Sequence, residues 1–106
     1  MPSLTTWAGR STFKYSHSVK DKITIEYGHE YKFKIHVTQD QYNALINHFH
    51  GRTVQVGTSR TNPPKGSIGE WLQENVTKTA ISSYVCPIFI DEGYAERAGS
   101  TEIRFF

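Results

Sequence analysis

Strict two-residue alternation runs through the first third of the chain. In Lys22–Tyr27, Ile23, Ile25 and Tyr27 share one side, and Lys22, Thr24 and Glu26 the other. Tyr31, Phe33, Ile35 and Val37 alternate in the same way with Lys32, Lys34 and His36. A period of two marks strands with one buried and one wet face. Gly28-His29-Glu30 between them reads as a three-residue hairpin loop. That loop sets Glu26 opposite Lys32, Ile25 opposite Phe33 and Ile23 opposite Ile35. Thr12–Ser16, alternating through Phe13 and Tyr15, reads as a further strand.

The period changes at Thr38. Thr38-Gln39-Asp40-Gln41 has the form of a capping box, and Tyr42, Leu45, Ile46 and Phe49 follow at helical spacing until Gly51. Thr53–Gly57 reads as a short strand, and Thr58–Gly66, with Pro63-Pro64, as a loop. Ser67 and Glu70 open a second capping box before Ile68, Trp71 and Leu72. A third helix carries Ile81, Tyr84, Val85 and Ile88, with Asn75 or Thr77 as its N-cap and a kink or break expected at Pro87. Gly93 ends it. Tyr94–Arg97 and Thr101–Phe105 read as two strands about the turn Ala98-Gly99-Ser100. The apolar stripes predict a core holding Phe33, Ile35, Leu45, Ile46, Trp71, Leu72, Ile81, Val85 and Ile88.

The expected fold is α+β: an antiparallel sheet with an N-terminal β-hairpin, packed by three helices. One domain is expected over residues 1–106, with N-terminal strands in 1–37 and a portion of alternating helices and strands in 38–106. From Thr38 the order is helix, strand, helix, turn, helix, strand, turn, strand. This order is similar to that of winged helix-turn-helix domains. Ser67-Ile-Gly-Glu-Trp-Leu72 resembles their supporting helix, and Thr77-Lys-Thr-Ala-Ile-Ser-Ser-Tyr-Val85 the polar start of their recognition helix. Gly93-Tyr-Ala-Glu-Arg97, Gly99 and Ile103-Arg-Phe105 resemble the helix end, wing and last strand. The chain departs from the family in Pro87, in a longer Ile81–Gly93 spacing and in its added N-terminal strands. The block from Gly51 to Tyr94 also resembles small uncharacterised proteins carried on mobile integron gene cassettes, a resemblance that implies no activity.

The winged-helix resemblance implies nucleic-acid binding. Lys78, Thr79, Ser82 and Ser83 would face a groove from the third helix, and Arg97 and Arg104 would lie on the wing. Lys78, Arg97 and Arg104 would be the phosphate anchors, with Arg52, Arg60 and Lys65 as further contacts. Such a form would need to be a dimer to gather enough contacts. Asp91, Glu92 and Glu96 in the same segment oppose it. The formal charge of the 106-residue chain, +2, is too small to imply nucleic acid alone.

Other chemistry is sparser. Arg60, Lys65 and Ser67 surround a helix start and form a weak anion site, competing with a plain capped connector. The five histidines lack metal-ligand spacing, so no metal and no cofactor are expected. Cys86, the one cysteine, excludes an internal disulfide and reads as a packed thiol. Asn75-Val76-Thr77 matches a glycosylation pattern, read as coincidence in an intracellular chain. Neither a membrane span nor a signal peptide is visible, so a cytoplasmic protein is expected. With no paired carboxylates or triad, no catalytic residue is assigned. Three classes of function remain. They are a small non-catalytic accessory or regulatory protein binding nucleic acid through the third helix and wing, an interaction domain dimerising through an aromatic sheet face, and a small-molecule or anion binder at the 58–67 loop.

Overall fold

The structure, a computed structural model, describes residues 3–18 and 22–106. Met1 and Pro2, part of the segment read for a signal peptide, lie outside the described residues. Strands β1 (Ser3–Thr5), β2 (Thr12–His17), β3 (Lys22–Tyr27) and β4 (Phe33–Thr38) form an antiparallel meander in that order. Helix α1 (Gln39–Phe49) follows, then β5 (Thr53–Gln55), α2 (Ile68–Asn75), α3 (Ser82–Asp91), β6 (Ala95–Arg97) and β7 (Glu102–Phe105). The last three strands make a second antiparallel sheet ordered β5-β7-β6. The class is α+β, with two sheets where one was expected. Strand β1 was not foreseen.

The β3–β4 hairpin forms with the expected faces and a different register. Tyr27 pairs with Phe33, Ile25 with Ile35 and Glu26 with Lys34. The loop spans five residues because Glu30 and Tyr31 take left-handed conformations, with φ of 57° and 55°. A two-residue shift keeps every side chain on its face, so alternation alone does not resolve it. The shift carries Phe33 to the sheet's end, where it is 58% exposed rather than in the core. Ile35, Ile46 and Trp71 are only half-buried, whereas Leu45, Leu72, Ile81, Val85 and Ile88 are buried as expected.

The first sheet turns Phe13, Tyr15, Ile23, Ile25 and Val37 inward. Lys14, Glu26 and Lys34 lie in one cross-strand row of its outer face, with Lys34 Nζ 3.6 Å from Glu26. That polar face is not the aromatic surface expected to join two copies.

Helix α1 begins with the complete Thr38/Gln41 capping box. Helix α2 is capped by Ser67 Oγ, which accepts the Glu70 N–H at 3.1 Å, while Glu70 reaches back to the Gly66 N–H. Its start presses on the strand exit after β5. Gly69 N donates to the Val56 carbonyl, and a Cβ on Gly69 would overlap the Gly57 carbonyl oxygen. Helix α3 starts at Ser82, later than expected, and neither Asn75 nor Thr77 caps it: Asn75 ends α2, and the Thr77 hydroxyl accepts the Thr79 N–H.

Helix α3 is the shared centre of the fold. Tyr84 meets Phe13 of the first sheet edge-on at 5.3 Å. Phe89 stacks on Tyr42 of α1 at 4.8 Å and meets Phe105 of the second sheet at 5.2 Å. The helix continues through Pro87 without a break. The donor that Pro87 cannot supply comes from Trp7, whose backbone N–H binds the Ser83 carbonyl at 2.9 Å. The Trp7 indole also donates to Ser100 O at 2.7 Å, and the Arg97 guanidinium lies 4.1 Å from its ring centre.

Candidate functional site: an aromatic cleft between two cations

A run of rings leads from the core to the surface. Buried Phe13 supports Tyr84, Tyr84 lies 4.9 Å from Tyr27, and Tyr27 stacks on Phe33 at 5.5 Å with 28° between planes. Tyr27 and Phe33 meet because they pair across the β3–β4 hairpin. Gly28 makes room for the outer ring. Its φ is 83°, and a Cβ there would fall 2.6 Å from Phe33 Cδ2. Phe33 is thus held while most of it faces solvent.

These rings form one wall of a cleft of about 320 Å³, a size at the small end of ligand sites. The opposite side comes from Arg60, in the loop after β5, and from Lys78, Thr79 and Ala80, in the turn before α3. Among the described residues, neither the Arg60 guanidinium nor the Lys78 ammonium makes a side-chain hydrogen bond or ion pair. Burial raises the Tyr84 pKa, Tyr27 adds to the rise, and the positive charge of Arg60 opposes it. A second cleft adjoins through the same two cations and is bordered by Asn62, Gln73, Glu70 and Glu74. Its two carboxylates, Glu70 and Glu74, border that second cleft and are absent from the lining of the aromatic one.

The structure divides the residues expected on the third helix and wing. Lys78 and Thr79 precede α3 and line the cleft. Ser82 is fully buried and donates to the Gly57 carbonyl at 2.8 Å, so it has no hydroxyl to offer a groove. Ser83 is half-buried beneath Trp7. The strand exit at Gly57 covers Ser82 and the segment after β1 covers Ser83, so α3 does not present these two hydroxyls to a groove. Arg97 is spent on Trp7, donating to its carbonyl at 3.1 Å as well as covering its ring. Arg104 pairs with Glu96 at 2.8 Å.

The expected anion site at 58–67 does not assemble. Ser67 is buried as a helix cap, and the Glu70 carboxylate occupies the adjacent Gly66 N–H. Lys65 stays exposed outside the cleft, whereas Arg60 turns to the aromatic rings. Arg52 lies 5.6 Å from the Phe49 ring centre. Cys86 is buried, and burial pushes its thiol pKa up, away from nucleophilic character.

A polar cluster at the C-terminal end of α3 was missed. His17 continues the inward side of β2 after Phe13 and Tyr15, and that extended alternation was the available signal. Its Nδ1 lies 2.8 Å from Glu92 Oε2 and its Nε2 2.8 Å from Gln39 Oε1. Tyr42 donates to Glu92, and Tyr15 to Asp91 at 2.5 Å. Burial works to lower the His17 pKa, but the bonds to Gln39 and Glu92 and the Glu92 charge outweigh it, leaving a net rise. Burial, joined by the bonded carboxylate, raises both tyrosine pKa values. With both ring nitrogens against acceptors, the cluster ties β2, α1 and α3 together.

Among the described residues no group of three or more His, Cys, Asp and Glu side chains is placed to hold a metal. No helix of the described residues is long and apolar enough to cross a membrane. No family model matches the chain, and neither the curated proteins nor the solved structures contain a match to it.

Proposed function

We propose that this chain is a small, non-catalytic nucleic-acid-binding protein whose binding surface is the aromatic cleft between Arg60 and Lys78. One observation carries the reading: two cations without partners among the described residues flank an exposed ring that ends a run of ring contacts from the core. Cations supply the sequence-independent affinity for phosphate, and rings supply stacking for bases. A bare anion site would not need the rings, and an apolar peptide groove would not need the cations. Among the described residues the lining carries no carboxylate, histidine or cysteine, which favours binding over acid–base or nucleophilic chemistry.

The anchors in this reading are Arg60 and Lys78, in place of the set Lys78, Arg97 and Arg104. The test is a titration of labelled oligonucleotides at low salt with the wild type and with Arg60→Ala/Lys78→Ala. Both residues are exposed, so the double variant should keep its thermal midpoint while losing most of its affinity. Two phosphate contacts give a log–log salt slope of about −1.4 to −1.8. Unchanged affinity in the double variant would overturn the reading.

A further inference from the structure

We infer that the cleft takes an unpaired base, stacked on Phe33, with the phosphates on its two sides held by Arg60 and Lys78, so that the protein selects single strands over duplex. The inference rests on the nucleic-acid reading above and deepens it.

Three features point the same way. Phe33 is 58% exposed and already stacked on Tyr27, so its ring is oriented before a base arrives. A base laid on it extends the series Phe13, Tyr84, Tyr27, Phe33 by one ring. Second, the cleft of about 320 Å³ is of a size for one base and its sugar, and a base inside a duplex has both faces covered by its neighbours. A paired base would therefore have to be unstacked and extruded first, which costs a duplex and not a single strand. Third, two cations line the cleft, and Glu70 and Glu74 border the adjoining cleft on their far side. A strand passing that way would meet like charge. The site accordingly grips one base and the phosphates on both sides of it, which an oligonucleotide supplies and a mononucleotide, with a single phosphate, does not.

Stacking on an aromatic side chain is typically lost by about 5-fold to about 150-fold on substitution by alanine. Phe33 is exposed at a sheet end, so Phe33→Ala leaves the core intact, and Phe33→Trp keeps the platform. The experiment titrates three labelled probes at low salt: a 12-nucleotide single-stranded DNA, the same sequence as RNA, and the blunt 12-base-pair DNA duplex. Adenosine monophosphate serves as an unlabelled competitor. The inference expects at least about tenfold tighter binding of the single strands than of duplex. It also expects Phe33→Ala to lose about 5-fold or more on single strands, Phe33→Trp to retain affinity, and Phe33→Ala to leave duplex binding unchanged. Duplex bound as tightly as single strand, or Phe33→Ala without effect where Arg60→Ala/Lys78→Ala abolishes binding, overturns the stacking inference and keeps the nucleic-acid reading. Adenosine monophosphate binding as tightly as the oligonucleotides replaces the strand by a free nucleotide and overturns the nucleic-acid reading, while the stacked base survives. No binding of any probe overturns both.

Discussion

The backbone N–H of Trp7 binds the carbonyl of Ser83, the one acceptor in α3 that Pro87 deprives of its helical donor. A residue outside the helix thus repairs the ladder, and α3 passes through the proline unbroken. The same tryptophan holds the Ser100 carbonyl through its indole and lies beneath Arg97. Trp7 therefore joins the first sheet, α3 and the β6–β7 turn.

Replacing Trp7 by Ala should cost about 3–5 kcal/mol, as for other buried aromatic truncations. Trp7→Phe keeps most of the packing and loses the indole bond, and should cost only about 1–2 kcal/mol. Urea unfolding of the two variants checks the order. A Trp7→Phe variant as stable as the wild type would show that the indole bond contributes nothing.

Gly69→Ala should destabilise by about 1–3 kcal/mol, because the added methyl overlaps the Gly57 carbonyl and α2 must back away. Helix propensity alone predicts the opposite sign, since alanine is the better helix former by about 1 kcal/mol. A raised thermal midpoint in Gly69→Ala would show that the contact yields easily.

Stability should fall as pH rises through the elevated His17 pKa. The folded protein holds the His17 proton more tightly than the unfolded chain, whose value is near 6.5. The contribution is complete below that value and is lost above it, as His17 becomes neutral against Glu92 and Gln39. Tyr42 and Tyr15, whose pKa values are raised by burial, remain protonated through the same window. Urea midpoints between pH 5.5 and pH 9, on the order of half a unit apart, should decline for the wild type and flatten in His17→Gln.

Cys86 should be inert toward an aromatic disulfide reagent in the native protein and react fully in denaturant. Its thiol is buried and its pKa raised, so both access and thiolate are lacking. Rapid native labelling would mean that α3 opens locally.

Arg104→Ala should leave oligonucleotide affinity within about twofold, whereas Lys78→Ala should lower it. Arg104 is paired with Glu96 on the second sheet, and Lys78 stands at the cleft. Anisotropy titrations of the two variants compare the wing with the cleft directly. A larger loss at Arg104 would favour the wing.

Local signals were legible and distant ones were not. Alternation in Lys22–Tyr27 and the Thr38/Gln41 box each describe one element, and both elements formed as read. The hairpin register depended on Glu30 and Tyr31 adopting left-handed conformations, which neither residue type announces. Ser82 looked like a polar helix start, but its hydroxyl is consumed by Gly57, which lies 25 positions away. Trp7 meets Ser100 and Arg97 across about ninety positions, beyond the reach of any periodicity. The cleft has the same origin. Tyr27, Phe33, Arg60, Lys78 and Tyr84 come from separate elements, and only the topology gathers them. Lys78 and Arg60 were visible as cations, but nothing near them in sequence supplied the rings.

Because α3 is packed by both sheets, the protein has no half that can melt while the other stays whole. Loss of the N-terminal strands would strip Ser83 of its donor, Tyr84 of Phe13 and Asp91 of Tyr15 at once. Loss of the C-terminal sheet would bare Phe89 where Phe105 now covers it. The amides of α3 should therefore exchange with solvent only when the whole chain opens, and their protection should report the full free energy of unfolding. A cut after Val37 would not release a smaller working domain. It would leave two fragments that regain structure only together, as complementary pieces do.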